Sequence, residues 1–147
     1  MVWTAGRVVA FEYTNTFIAV ADDCPAEVAE TPPATYRGKP TVAAQEFAML
    51  NGADFIHTMS EVQSAVWVAR KGEDELSEDE RETLLTEYFS TERACFRASP
   101  LAKRYGWGFA FDADGKVALV ASDSDDYSTY RADTSLTQLT AMASERR

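Results

Sequence analysis

Only one histidine and two cysteines occur in the 147 residues of this chain. Two thiols, Cys24 and Cys95, are too few for a disulfide framework or a thiolate metal site. No metal and no cofactor are therefore expected, and a reducing compartment would keep the two thiols separate. No apolar run approaches the roughly 20 residues that span a bilayer, so no membrane partner is expected. The start, Met1 to Glu12, is interrupted by Arg7 and Glu12 and lacks the charged beginning, apolar stretch and cleavage site of a signal peptide. The expected location is cytoplasmic. Also missing are a Walker-type loop, Gly-x-Gly-x-x-Gly, Gly-x-Ser-x-Gly and His-Glu-x-x-His. Positive charge is scarce: 14 Lys and Arg stand against 24 Asp and Glu, a net of −10. Such a balance argues against a nucleic-acid partner, because phosphate contacts supply most non-specific affinity. It keeps the protein in solution, or offers an acidic face to a basic partner.

What is present is the material of one globular domain. A composition 46% hydrophobic and 12% aromatic is too apolar for disorder, and this length supports a core without staples. Residues 1–147 are expected as a single domain.

Two β-like runs open the chain, Arg7 to Tyr13 and Thr16 to Ala21, both rich in β-branched and aromatic residues. Asp22-Asp23-Cys24-Pro25 breaks the second run, and residues 24–40 read as a long loop. Val42, Phe47, Met49 and Leu50 then suit a short helix ending near Asn51-Gly52. Two capping boxes, Thr58-Met59-Ser60-Glu61 and Ser77-Glu78-Asp79-Glu80, each announce a further helix. The first carries Val62, Ala65, Val66 and Ala69 to a stop at Gly72. The second presents Leu84, Leu85, Tyr88 and Phe89 to the core. Residues 107–111 and 116–121 are strand-like around Asp112-Ala113-Asp114-Gly115, a hairpin turn with glycine for the positive-φ position. Asp123-Ser124-Asp125-Asp126 reads as a helix entrance, and a last helix is expected to carry Leu136, Leu139 and Met142. The predicted fold class is α+β: a small antiparallel sheet including the 107–111/116–121 hairpin, packed with three to five helices.

Between Glu92 and Asp112 the charge inverts. Arg93, Arg97, Lys103 and Arg104 occur there without an acid. Ser99 and Pro100 suit the cap and first residue of a helical turn, whose free N–H groups favour phosphate or carboxylate. Tyr105-Gly106-Trp107-Gly108 follows, with aromatics able to stack and glycines that permit close backbone approach. The candidate ligand-binding set is Arg97, Ser99, Lys103, Arg104, Tyr105 and Trp107, for a small anion. The competing reading has the same cations paired internally and the aromatics in the core, so that the turn locks the fold.

The remaining chemistry is thinner. Cys95 lies between two arginines, which would lower a thiol pKa, but no general base adjoins it. Cys24 follows two aspartates, which would raise its pKa. His57 is the one histidine, the residue type whose unperturbed pKa lies near neutrality. A Cys–His enzyme would need it within reach of Cys24 or Cys95, whereas its place before Thr58 puts it at a helix entrance on the surface. Asp112-Ala113-Asp114-Gly115 has glycine at the fourth position, not the sixth, and no closing glutamate, so it is not a calcium loop.

Two stretches carry a resemblance. Asn15-Thr16-Phe17-Ile18-Ala19-Val20-Ala21-Asp22-Asp23-Cys24-Pro25 and Arg97-Ala98-Ser99-Pro100-Leu101-Ala102-Lys103-Arg104-Tyr105-Gly106-Trp107-Gly108 resemble the signatures of an uncharacterised bacterial family, a domain of unknown function. The resemblance runs from about Tyr13 to the C-terminus, leaving residues 1–12 as an extension. Where such proteins carry a basic final stretch, this chain has Ala143-Ser144-Glu145-Arg146. A bacterial origin and a soluble single domain are implied, and no activity. The two signatures are candidates for one shared site, with Asp23, Cys24 and Pro25 facing Arg97, Ser99 and Arg104. Three expectations follow: a binding or regulatory domain for a small anion, an enzyme using Cys24 or Cys95 with His57, or an acidic interaction module, in one version a homodimer.

Overall fold

Short strands begin the chain: β1 (Val2–Thr4) and β2 (Arg7–Val9) pair antiparallel, Val2 opposite Val9. The structure, a computed structural model, describes residues 2–4, 7–9, 12–71, 76–90 and 95–144. Arg93, the Gly72 stop and the residues from Glu145 onward lie outside the described residues. β3 (Thr16–Ala19) is buried at all four positions. The stretch expected to be an uninterrupted loop contains a small exposed hairpin of β4 (Thr35–Tyr36) and β5 (Lys39–Pro40). Its tip is Arg37-Gly38, with φ of 53° and 79°, and positive φ at both central residues is what a tight hairpin turn requires.

Local signals place the helices. Thr41 caps α1 (Val42–Leu50) by accepting from the Ala44 N–H. Its buried stripe is Ala43, Glu46 and Leu50, rather than the purely apolar set expected. Thr58 accepts from the Glu61 N–H at 3.2 Å ahead of α2 (Met59–Lys71). Ser77 and Glu80 form the full capping box of α3 (Glu78–Phe89), whose stripe buries Tyr88 and half-buries Leu84, Leu85 and Phe89. A single 3₁₀ turn, Phe96–Ala98, leads to α4 (Pro100–Lys103).

β6 (Trp107–Phe111) and β7 (Val117–Ala121) form the expected hairpin, and Ser124 caps α5 (Asp125–Ala132). The last element is a correction: β8 (Thr137–Thr140) is a strand, not a helix. It pairs parallel to β3, with Thr16 opposite Thr137 and Ala19 opposite Thr140. Asp133 ends α5 in a turn by accepting from the Ser135 N–H. Without β8, one edge of the fully buried β3 would leave its N–H and C=O groups unpaired.

The main sheet has the order β7-β6-β3-β8, antiparallel except for the β3–β8 pair. Both faces are covered. Ile18, Phe109, Phe111 and Val117 pack with residues of α1, α2 and α4, including Leu50, Val62 and Leu101. Phe17, Ala19, Ala110 and Val120 pack beneath Tyr127, Tyr130 and Leu136. The fold is α+β as expected, with five α-helices among the described residues. No helix among them is long and apolar enough to cross a membrane.

Candidate functional site

The cationic turn splits into inward- and outward-directed residues. Phe96 is fully buried and stacks on Phe109, centroids 4.4 Å apart, which anchors the start of the turn. Arg97 Nε donates to the Thr140 carbonyl at 2.8 Å, and the Arg97 carbonyl accepts from the Met142 N–H at 2.8 Å. Ser99 caps α4, its Oγ accepting from the Leu101 N–H at 3.2 Å, with Pro100 as the first helical residue. Its hydroxyl proton is donated to Glu46 Oε1 at 2.7 Å. Trp107 Nε1 donates to the Glu30 carbonyl at 2.8 Å, and its indole tilts against Phe47. Lys103 is half-buried. Of the six candidate residues, Arg104 and Tyr105 line an open groove beside α4.

The two signature stretches meet through their backbones. Ala21 N–H donates to the Ala102 carbonyl at 3.0 Å. Asp23 Oδ2 accepts from the Ser144 N–H at 2.9 Å, so Asp23 and Arg97 both hold the segment that follows β8. Cys24 packs partly against the core, its Sγ 4.0 Å from the Ala26 carbonyl. Cys95 Sγ lies 3.1 Å from the Tyr13 hydroxyl. The Tyr13 hydroxyl pKa is pushed up to about 12, first by burial and then by the hydrogen bond to Cys95, while Arg97 opposes the shift. Both cysteines are free. His57 stands just before α2 with Nδ1 3.7 Å from Glu61 Oε2, and neither thiol is among its hydrogen-bond partners in the described residues.

The groove occupies about 740 Å³ between the β4–β5 hairpin, the first turn of α1, the end of α2, and α4. Arg37, Lys39, Arg70 and Arg104 line it, and none of its lining residues is acidic. All four are exposed. Among the described residues, no carboxylate lies within ion-pair distance of any of them. Arg70 ties the hairpin to the helices, with Nη1 2.6 Å from the Pro40 carbonyl and 3.3 Å from Gln45 Oε1. The Arg37 guanidinium lies over the Tyr36 ring, 5.2 Å from its centroid. The first turn of α1 contributes no acid, so the positive end of its dipole adds to the same field.

Sequence reasoning missed Arg37, Lys39 and Arg70. A signal existed for the first two: the stretch between Glu30 and Glu46 contains Arg37 and Lys39 and no acid. Arg70 carried none, since a basic residue in the last turn of a helix is ordinary.

Glu46 was also missed. It is 4% exposed on the inward stripe of α1. It borders a second cavity of about 220 Å³, together with Gln63, Trp67 and Tyr88. Val42 and Arg70 border both this cavity and the groove. Burial raises the Glu46 pKa to about 7, against the lowering effect of the Ser99 hydrogen bond. Among the described residues, no group of three His, Cys, Asp or Glu side chains is arranged to hold a metal.

The chain belongs to DUF6157, a family of unknown function, which matches residues 8–147. The resemblance read from the two signature stretches is thereby borne out, and the match begins further N-terminally, within β2. No curated protein and no solved structure matches the chain.

Proposed function

We propose that this member of DUF6157 is a small binding domain that holds an anionic ligand in the groove between the β4–β5 hairpin and α4. The observation that carries the reading is the lining itself: Arg37, Lys39, Arg70 and Arg104 without an acid, in a chain of net charge −10. Without these four cations the chain's formal charge is −14, so the groove offers an anion a local attraction against an acidic background. A concave site of this volume is within the range of roughly 300–1,000 Å³ typical of small-molecule pockets. Arg104 and Tyr105 carry the binding role foreseen for the cationic turn, while Arg97 and Ser99 lock the turn to β8 and α1. Two free thiols accord with a reducing, cytoplasmic setting.

Isothermal titration with inorganic phosphate, pyrophosphate, nucleotides and polycarboxylates tests the reading, in parallel with Lys39→Ala/Arg104→Ala. Saturable binding that weakens in the variant and with added salt is expected. If no anion of the panel binds, or binding ignores the substitutions, the groove is not an anion site.

A further inference from the structure

The groove's charge count narrows the ligand. Arg37, Lys39 and Arg104 have no carboxylate partner among the described residues, and Arg70 is partly engaged by the Pro40 carbonyl. These cations reach the groove from three parts of the fold: the hairpin, the last turn of α2 and the residue that ends α4. A monoanion would leave most of that positive charge uncompensated. Several negative charges along a short chain would satisfy them together. Guanidinium forks match phosphoryl oxygens bidentately, and a phosphate chain carries more charge per length than a carboxylate.

A second feature points to a ring. Tyr36 is 66% exposed on the hairpin, and its one aromatic or cationic partner among the described residues is the neighbouring Arg37. Arg37 itself sits at φ 53°, where glycine or asparagine would hold the turn with less strain. Neither side chain is needed for the core, and together they make a pre-formed aromatic–guanidinium pair. Val42, Ala43 and Pro100 give the lining an apolar part as well.

Resting on the anion-site reading above, we infer that the ligand is a nucleoside polyphosphate. Its phosphate chain lies across Arg37, Lys39 and Arg104, and its base stacks on Tyr36.

Calorimetry on the full chain at low salt decides this, with ATP, GTP, tripolyphosphate, citrate and adenosine as probes in magnesium-free buffer. The nucleotides are expected to bind one per chain, tripolyphosphate roughly tenfold more weakly, and adenosine not measurably, since one stacked base is worth about that factor. Tyr36→Ala should bring the nucleotides down to the tripolyphosphate affinity while leaving tripolyphosphate unchanged. Lys39→Ala/Arg104→Ala should weaken both by roughly a hundredfold. These side chains are exposed, and circular dichroism checks that each variant folds. Equal affinity for tripolyphosphate and nucleotides, no effect of Tyr36→Ala, or a preference for citrate overturns the nucleotide inference and leaves the anion site standing. Failure of all five probes overturns both.

Discussion

Ser99 Oγ donates a 2.7 Å hydrogen bond to Glu46 Oε1, and each residue is only 4% exposed. The bond joins the middle of α1 to the start of α4, two of the helices that border the groove. It also leaves a carboxyl group inside the protein with one neutral donor and no cation within ion-pair distance among the described residues. Two predictions arise from that pair.

The first concerns pH. Burial raises Glu46 from its ordinary 4.5 to about 7. The folded chain therefore keeps a proton between these values that the unfolded chain releases. Its stabilising effect is fully present below pH 4.5, declines as pH rises, and is gone above pH 7. The change amounts to something on the order of 3 kcal/mol. Glu46→Gln keeps an acceptor for Ser99 and cannot ionise. Its unfolding free energy should match the parent near pH 4.5 and exceed it at pH 8. A difference that stays flat across this window would show that the carboxyl is not shifted.

Ser99→Ala removes the α4 cap and, among the described residues, the one donor to Glu46 together. A loss of about 2–4 kcal/mol is expected in denaturant unfolding. Because the lost bond favoured the ionised carboxylate, the loss should be larger at pH 8 than at pH 5. Adding Glu46→Leu to Ser99→Ala should recover part of it, since no buried charge is then left without a donor. A double variant weaker than Ser99→Ala alone would contradict this account.

Arg97 and Arg104 are seven positions apart in one signature and stand in opposite settings, Arg97 bonded to the end of β8 and Arg104 exposed at the groove. Arg97→Ala breaks the bond to the Thr140 carbonyl and should lower stability by about 1–3 kcal/mol. Its anion affinity should not change. Arg104→Ala should leave the unfolding free energy within about 0.5 kcal/mol of the parent and weaken anion binding. Thermal unfolding and calorimetry on both variants check the crossover. Loss of affinity in Arg97→Ala at intact stability would return that residue to the site.

Gly106 has φ of 82°, and a Cβ there would lie 2.8 Å from the Val28 carbonyl oxygen. The close approach is made by the backbone of residues 28–30, whose Glu30 N–H donates to the Tyr105 carbonyl at 2.8 Å. Gly106→Ala should destabilise by about 2–4 kcal/mol, combining left-handed strain with a clash against backbone. A variant as stable as the parent would mean that the long loop does not pack on the turn.

Local chemistry was legible. Ser77 with Glu80, Thr58 with Glu61, and Ser124 before Tyr127 each satisfy the free N–H groups of a helix start within four residues. Gly115, with φ of 81°, closes the β6–β7 turn where it was expected. β8 was not legible, because Leu136, Leu139 and Met142 fit a helical stripe equally well. In the fold Leu136 packs on one face of the sheet and Leu139 on the other, as alternate sides of a strand do.

The cationic segment from Arg97 to Trp107 shows the same division. Sequence by itself determined that it forms a capped turn ahead of a strand, because capping and turn chemistry act over a few residues. It determined the charge inversion too, since charge is a property of composition. Only the tertiary structure decided which cations face outward. Arg97 meets the end of β8, forty-three residues away, whereas Arg104 joins Arg37 and Lys39 from the hairpin and Arg70 from α2. Glu46 makes the point most directly. A glutamate in a short helix reads as a solvent-facing residue, and only the packing of α1 onto α4 turns it inward to Ser99. Burial is set by what other elements cover, and no local pattern carries that information.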